Sequence, residues 1–365
     1  MKINRCLLLV ALFVTLLLVI PARAQITATA AQSRIESLST LPESDVVLNV
    51  NVARIMNEAM PRLMPEKDLS DLRSGMDFIK NFTTIDLRNV ELAMVALRFN
   101  KLSSGITLPI PDAMFITRGD FDAKAVIGLA TKMLEGKLRE EKFGDHNLYL
   151  YKVSDISKDA NLALFGAAFS EIAITSLDAS TLAVGNTNYI KAALDAADGR
   201  GRIKPEMIAS LMREPTSLIS ATGSPLVALA KSLGLRMAES RDPNCMTRFG
   251  EFYMSLAMAD DVFRINGAMN ADNPETARLL KNMISGLMQQ GKSSLSDKQA
   301  QSIVDDVKLS VEGDEIMIAS SITQEMATRF IREMLAPKPP AKTAEPDKMK
   351  ETPPKAKSKR SARRA

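Results

Sequence analysis

What this chain has little of narrows it first. It contains no tryptophan, four tyrosines, one histidine and two cysteines, and aromatic residues make up only 5% of it. So few rings argue against sugar platforms and base stacking, which need flat aromatic surfaces. A single histidine, His146, excludes metal sites built on two or more imidazoles and any H-E-x-x-H helix. A Ser-His-Asp or Cys-His system would have His146 alone to draw on, and it sits in the turn Gly144-Asp145-His146-Asn147. No G-x-x-x-x-G-K-[ST], no G-x-G-x-x-G before a helix and no G-x-S-x-G occurs, so phosphate-loop and nucleophile-elbow chemistries lack their signatures. With Cys6 inside the leader described below, Cys245 has no intramolecular partner, and a disulfide-stapled scaffold is excluded. Cys245 reads as a packed, inert thiol, with intermolecular pairing or reactivity as the other reading.

Apolar residues make up 46% of the 365, and methionine, at 21, is frequent. The core must therefore be filled by Leu, Ile, Val, Ala and adaptable Met. The length suits two domains or one large one, and a mean hydropathy of −0.02 argues against several membrane spans.

Charge is divided unevenly. The net +4 of the whole chain resolves into +3 over residues 1–24, +7 over residues 336–365 and −6 over everything between. The first segment has the pattern of a secretory signal: Lys2 and Arg5, an apolar run from Leu7 to Ile20, then Pro21-Ala22-Arg23-Ala24, which places cleavage before Gln25. The apolar run falls short of the roughly 20 residues that a membrane-spanning helix needs, which favours cleavage over retention as an anchor. Cys6 precedes that run, so it cannot be the modified cysteine of a lipoprotein leader. The last segment holds six prolines and almost no apolar bulk, and is expected to be a disordered basic tail.

Between a short linker (25–40) and the tail, the spacing predicts two α+β stretches, 41–201 and 214–335. Each carries an apolar strand, a polar corner and an amphipathic helix: Met114 to Thr117, then Arg118 to Asp122, then a helix through Leu134; and Val262 to Ala268, then Asn270 to Asn273, then a helix through Met288. Both stretches read strand, helix, strand, strand, helix, strand, strand, helix, with an extra hairpin near 137–153 in the first. The strands come as hairpins with imperfect alternation. This predicts an α+β fold of two pattern-level repeats, antiparallel strands with helices packed on one sheet face. A further helix is read over Leu226 to Leu233. The paired acids Asp120/Asp122, Asp260/Asp261 and Asp305/Asp306 fall at corners and turns, where capping and loop solvation explain them, and Asp122 is expected to cap the helix after it. Arg118-Gly119-Asp120 has the same turn explanation.

The leader, the Leu41-Pro42-x-x-Ser44-Asp45 opening and the strand-Gly119-x-Phe121-Asp122-helix unit together resemble uncharacterised bacterial exported proteins with a duplicated α+β unit. The resemblance implies export and carries no catalytic residue over to this chain. The sequence thus points to an exported, non-enzymatic binding or scaffold protein of the cell envelope, periplasmic or extracellular, with no cofactor and no span in the mature chain. Its partner would be an anionic envelope component met by the tail, through Lys355, Lys357, Lys359, Arg360, Arg363 and Arg364. The rival is a secreted hydrolase with a carboxylate-based site between the two halves.

Overall fold

Short apolar runs broken by Gly-Asp and Asp-Asp dipeptides fold back as hairpins, because those residues accept the left-handed backbone of a tight turn. Gly144 (φ 57°), Asp260 (φ 51°) and Gly313 (φ 64°) supply it here. In a computed structural model the chain is described over residues 37–83, 86–99, 111–134, 137–153, 171–224, 250–294 and 298–335. The described strands are β1 (Val46–Val50), β2 (Val90–Arg98), β3 (Asp112–Gly119), β4 (Arg139–Phe143), β5 (His146–Lys152), β6 (Glu171–Asp178), β7 (Thr181–Asn186), β8 (Ile219–Gly223), β9 (Phe252–Ala259), β10 (Val262–Asn270), β11 (Lys308–Glu312) and β12 (Glu315–Thr323). They form one twelve-stranded sheet in the order β11-β12-β10-β9-β8-β1-β2-β3-β7-β6-β5-β4, with every neighbouring pair antiparallel.

The helices are α1 (Val52–Arg54), α2 (Met60–Leu63), α3 (Glu66–Thr83), α4 (Ala123–Met133), α5 (Thr187–Ala197), α6 (Pro205–Leu211), α7 (Pro274–Ser294), α8 (Lys298–Asp306) and α9 (Gln324–Leu335). A π turn, Ile55–Ala59, joins α1 to α2, and the Met60 N–H reaches back five residues to the Ile55 carbonyl. Pro61 has no N–H to give, and the wider turn delivers it into the first turn of α2, where none is needed. No helix among the described residues is long and apolar enough to cross a membrane. The helix read over Leu226 to Leu233 lies outside the described residues.

The α+β class and the antiparallel sheet are as expected, but the helices do not keep to one face. On the front face, Leu92, Met94 and Ala96 of β2, Met114 and Ile116 of β3 and Ala183 of β7 pack under Tyr189, Ile190 and Leu194 of α5 and Met207 and Leu211 of α6. Leu38 and Leu41 join the same cluster, so residues 37–41 are part of the core. On the back face, Ala93 and Phe115 pack under Met56 and Met76, while Leu182 and Val184 pack under Ile127 of α4. Central strands buried on both sides carry apolar residues at both parities, which is the physical cause of their imperfect alternation. Each large aliphatic side chain so buried contributes about 1.5–3 kcal/mol relative to exposure.

Strands from 41–201 and from 214–335 occupy contiguous blocks of the sheet, and the blocks meet where β1 pairs with β8 over five residues, Val46↔Gly223 to Val50↔Ile219. Counting from that seam, the orders are β1-β2-β3-β7-β6-β5-β4 and β8-β9-β10-β12-β11. In each block the third strand runs into a helix and then pairs with the last strand. Gly223 closes the seam: its φ is 149°, and a Cβ there would lie 2.1 Å from the Asp45 carbonyl oxygen.

Gly223→Ala is therefore expected to prise β1 from β8 and cost about 1–3 kcal/mol or more, read as a lower urea midpoint. A second expectation concerns Asp86, whose carboxylate accepts from the Arg88 side chain at 2.7 and 2.9 Å, from the Arg88 N–H, and pairs with Lys80 at 2.8 Å, fastening the end of α3 to the start of β2. The Arg88 side chain, then Lys80, outweigh partial burial and hold the Asp86 carboxyl well below the usual carboxylate range. A depressed carboxylate stabilises the fold fully above its unfolded value, near 4, and that contribution fades as pH falls through the folded value. Asp86→Asn should therefore lower stability at pH 7 by about 1–3 kcal/mol, with the gap from wild type narrowing below about pH 4 in urea titrations.

Candidate functional site

The two blocks place their closing helices on opposite faces. α5 closes the first block on the front, whereas α9 closes the second on the back, with Ala327 packed beside Leu63, Phe263 and Ile322. Gln324 pins α9 there by donating to the Arg62 carbonyl at 2.7 Å. The sequence dictates this difference through the alternation in β11 and β12. Leu309, Val311, Ile316, Ile318 and Ile322 face the back, and Lys308, Ser310, Glu312, Glu315 and Ser321 face the front. Among the described residues, the front of β10-β12-β11 is left open, with Arg264, Lys308, Ser310, Ala319 and Ser321 exposed.

At the inner margin of this open face is a polar cluster. β8, β9 and β10 turn Ser220, Thr222, Ser255 and Asn266 to the front, and Ser255 lies directly opposite Asn266 in the β9–β10 register. Glu214, just after α6, reaches over both. Its carboxylate accepts from Ser255 Oγ at 2.6 Å and from Asn266 Nδ2 at 2.5 Å. Its neighbour Arg213 donates to Glu315 Oε1 at 2.7 Å, with its guanidinium 5.6 Å from the centre of the Tyr253 ring. Burial pushes the Tyr253 phenol up. Deeper in, Asn49 Nδ2 donates to Ser220 Oγ at 3.4 Å, and Thr222 Oγ1 donates to the Phe252 carbonyl at 2.9 Å. Ser220, Thr222, Ser255 and Asn49 are buried, so the arrangement is a hydrogen-bonded polar network beneath Glu214, with the Arg213–Glu315 pair at its outer side.

The residues singled out in the sequence lie elsewhere. His146 Nε2 is 3.6 Å from Asp198 Oδ1, on β5, with six strands between it and Ser255 on β9. Asp122 caps α4, accepting from the N–H groups of Lys124 and Ala125 at 2.9 and 3.2 Å. Arg118 donates to Ser37 Oγ at 2.7 Å, and the Asp120 carbonyl accepts from Asn89, so the Arg-Gly-Asp corner is bound into the fold. Asp306 accepts from the Ser321 N–H and hydroxyl, Asp305 pairs with Lys292, and the Asp260 carbonyl accepts from Arg62. No group of three or more His, Cys, Asp or Glu among the described residues is placed to hold a metal ion. Cys245 and the tail cations Lys355, Lys357, Lys359, Arg360, Arg363 and Arg364 lie outside the described residues.

Sequence reasoning missed Glu214, Ser255 and Asn266. The available signal was a serine inside the otherwise apolar β9 and an asparagine inside β10, at positions that register alone brings together. Glu214→Ala is expected to strand the buried Ser255 donor and the Asn266 amide, costing about 1–3 kcal/mol, and Glu214→Gln to cost less because it keeps one acceptor. Urea midpoints of the two variants check this order.

No protein-family model matches the chain, and no curated protein matches it. Solved structures of TP0453 are similar to it at a low level. Crystal form III is 12% identical, with 81% of this chain and 97% of that one covered at a TM-score of 0.42. Crystal form I is 12% identical, with 82% and 97% covered at 0.40.

Proposed function

We propose that this chain is an exported, non-enzymatic binding or scaffold protein of the cell envelope, whose basic tail contacts an anionic envelope polymer or lipid. The observation that carries this reading is the charge division, +7 in thirty proline-rich residues set against −6 in the body. Cations so concentrated on a chain that cannot fold by burial are drawn to polyanions and anionic lipid surfaces, at about 1 kcal/mol per Lys or Arg near a lipid surface. The Lys2, Arg5, Leu7 to Ile20 and Ala22-Arg23-Ala24 pattern supports export, with Gln25 as the first mature residue.

A hydrolase with its site between the halves has less behind it. The halves meet in an unbroken five-residue strand ladder, backed by Ala59, Leu63, Leu218 and Phe263, where such a site would need a cleft.

The test compares the mature chain with one lacking residues 336–365, on vesicles of anionic and of zwitterionic lipid and on a soluble polyanion. Removal of the tail is expected to weaken binding to the anionic partners by at least about tenfold at low salt, and added salt to abolish the difference as screening shortens to about 10 Å at 0.1 M. Unchanged binding by the truncated chain would eliminate the tail as the contact. Turnover of an ester or glycoside by the purified body, lost on Glu214→Gln, would overturn the non-enzymatic reading.

A further inference from the structure

Among the described residues the sheet ends in two strands, β4 and β11, and they are built differently. β4 is charged at Arg139, Glu140, Glu141 and Lys142, and Glu141 is already held by Arg139 at 2.9 Å and Lys191 at 2.7 Å. A two-fold pairing of β4 with itself, centred on any of residues 139 to 142, would set a charged residue against its own copy. Such an edge resists addition of another strand.

β11 reads Lys308-Leu309-Ser310-Val311-Glu312, and this sequence is complementary to itself when reversed. The turn Gly313-Asp314 places Glu312 opposite Glu315. The pair flanking a two-residue hairpin loop exchanges both of its backbone hydrogen bonds, and the pairs beyond it alternate. Lys308, Ser310 and Glu312 therefore bond inward to β12, and the N–H and C=O groups of Leu309 and Val311 point off the edge. Beyond the end of β11, the Ser321 N–H points the same way and is taken by Asp306, which fits this parity.

We propose that β11 pairs antiparallel with β11 of a second copy about a two-fold axis at Ser310, joining the two sheets edge to edge. In that register Leu309 lies opposite Val311 of the copy, and the outward groups form four backbone hydrogen bonds. Lys308 lies opposite Glu312 of the copy, twice, in the non-hydrogen-bonded position where facing side chains come closest. Both residues are exposed on the open front face. The contact is the same patch on both copies, so it closes at two.

Sedimentation equilibrium of the mature full chain tests it. Wild type is expected to dimerise reversibly with concentration. Lys308→Glu and Glu312→Lys, each alone, oppose like charges twice and should weaken the dimer by about tenfold. The double variant should restore it, and so should mixing the two single variants, which are complementary to each other. Leu309→Pro removes an outward N–H and leaves the β12 ladder intact, so it should give a monomer with unchanged near-ultraviolet circular dichroism. A wild type that stays monomeric to millimolar concentration, single variants that mix without dimerising, or open-ended polymers (a β11-to-β4 contact) would each overturn the proposal.

Discussion

β1 is hydrogen-bonded on both edges, to β2 on one side and β8 on the other, and the rest of the sheet takes its place from that strand. Residues Val46 to Val50 are sandwiched between chain segments some 45 and 170 positions further on, so the sheet cannot be completed locally. Its register is fixed twice over, by Val47 entering the front core and by the close approach of Gly223 to the Asp45 carbonyl. A one-residue slip would send Val47 to the back face and bring Asn49 out of its contact with Ser220. Because β1 to β3 and β8 to β10 run outward from this ladder as meanders, the two blocks form one continuous sheet.

From the seam outward the blocks diverge in one respect that matters for function, which is where the last helix goes. In the first block the front face carries α5, and its buried Tyr189 hydroxyl meets Ser44 Oγ at 2.6 Å under the Arg98 guanidinium, which pairs with Asp112 at 3.0 Å. That network satisfies polar groups inside a face otherwise sealed by aliphatic packing. In the second block the closing helix goes to the back, and the front strands carry serine, threonine, asparagine and charge instead. Glu214 stands at the boundary between the two regimes. Among the described residues it follows α6, which covers the front of the first block, and it accepts from Ser255 of β9 and Asn266 of β10.

Legibility in the sequence tracked this division. α9, Gln324–Leu335, is legible because its apolar residues recur at helical spacing, and the β11–β12 hairpin because apolar runs flank Gly313-Asp314. α6 is hard to read as a helix because it is seven residues long and opens on Pro205, too short for a helical period to show. α8 was missed for its polarity. The expectation of helices on one face rests on hairpins with imperfect alternation, but in β2 that imperfection records burial on both sides, as Val90, Leu92, Ala93, Met94 and Ala96 show. The polar cluster is legible only as isolated polar residues within strands. Glu214, Ser255 and Asn266 are joined by register across β9 and β10, and register is a property of the assembled sheet.

Among the described residues, an open polar face and an uncapped edge occur in the same block and have a common physical origin. A helix packed across the front of β10-β12-β11 would need apolar residues at Lys308, Ser310, Glu312 and Ser321, and those positions hold charge and hydroxyl instead. Yet β11 is not blunted as β4 is, since its charges sit at its two ends with opposite signs and its centre is Leu309-Ser310-Val311. On β4 the charges serve the monomer, with Glu141 bound to Arg139 and Lys191. On β11, Lys308 faces Ala319 and favours the charged form of Asp306, and Glu312 faces Glu315, whose carboxylate is held by Arg213. Opposite charges at the two ends of β11, with Leu309-Ser310-Val311 between them, match the same strand reversed in a second copy.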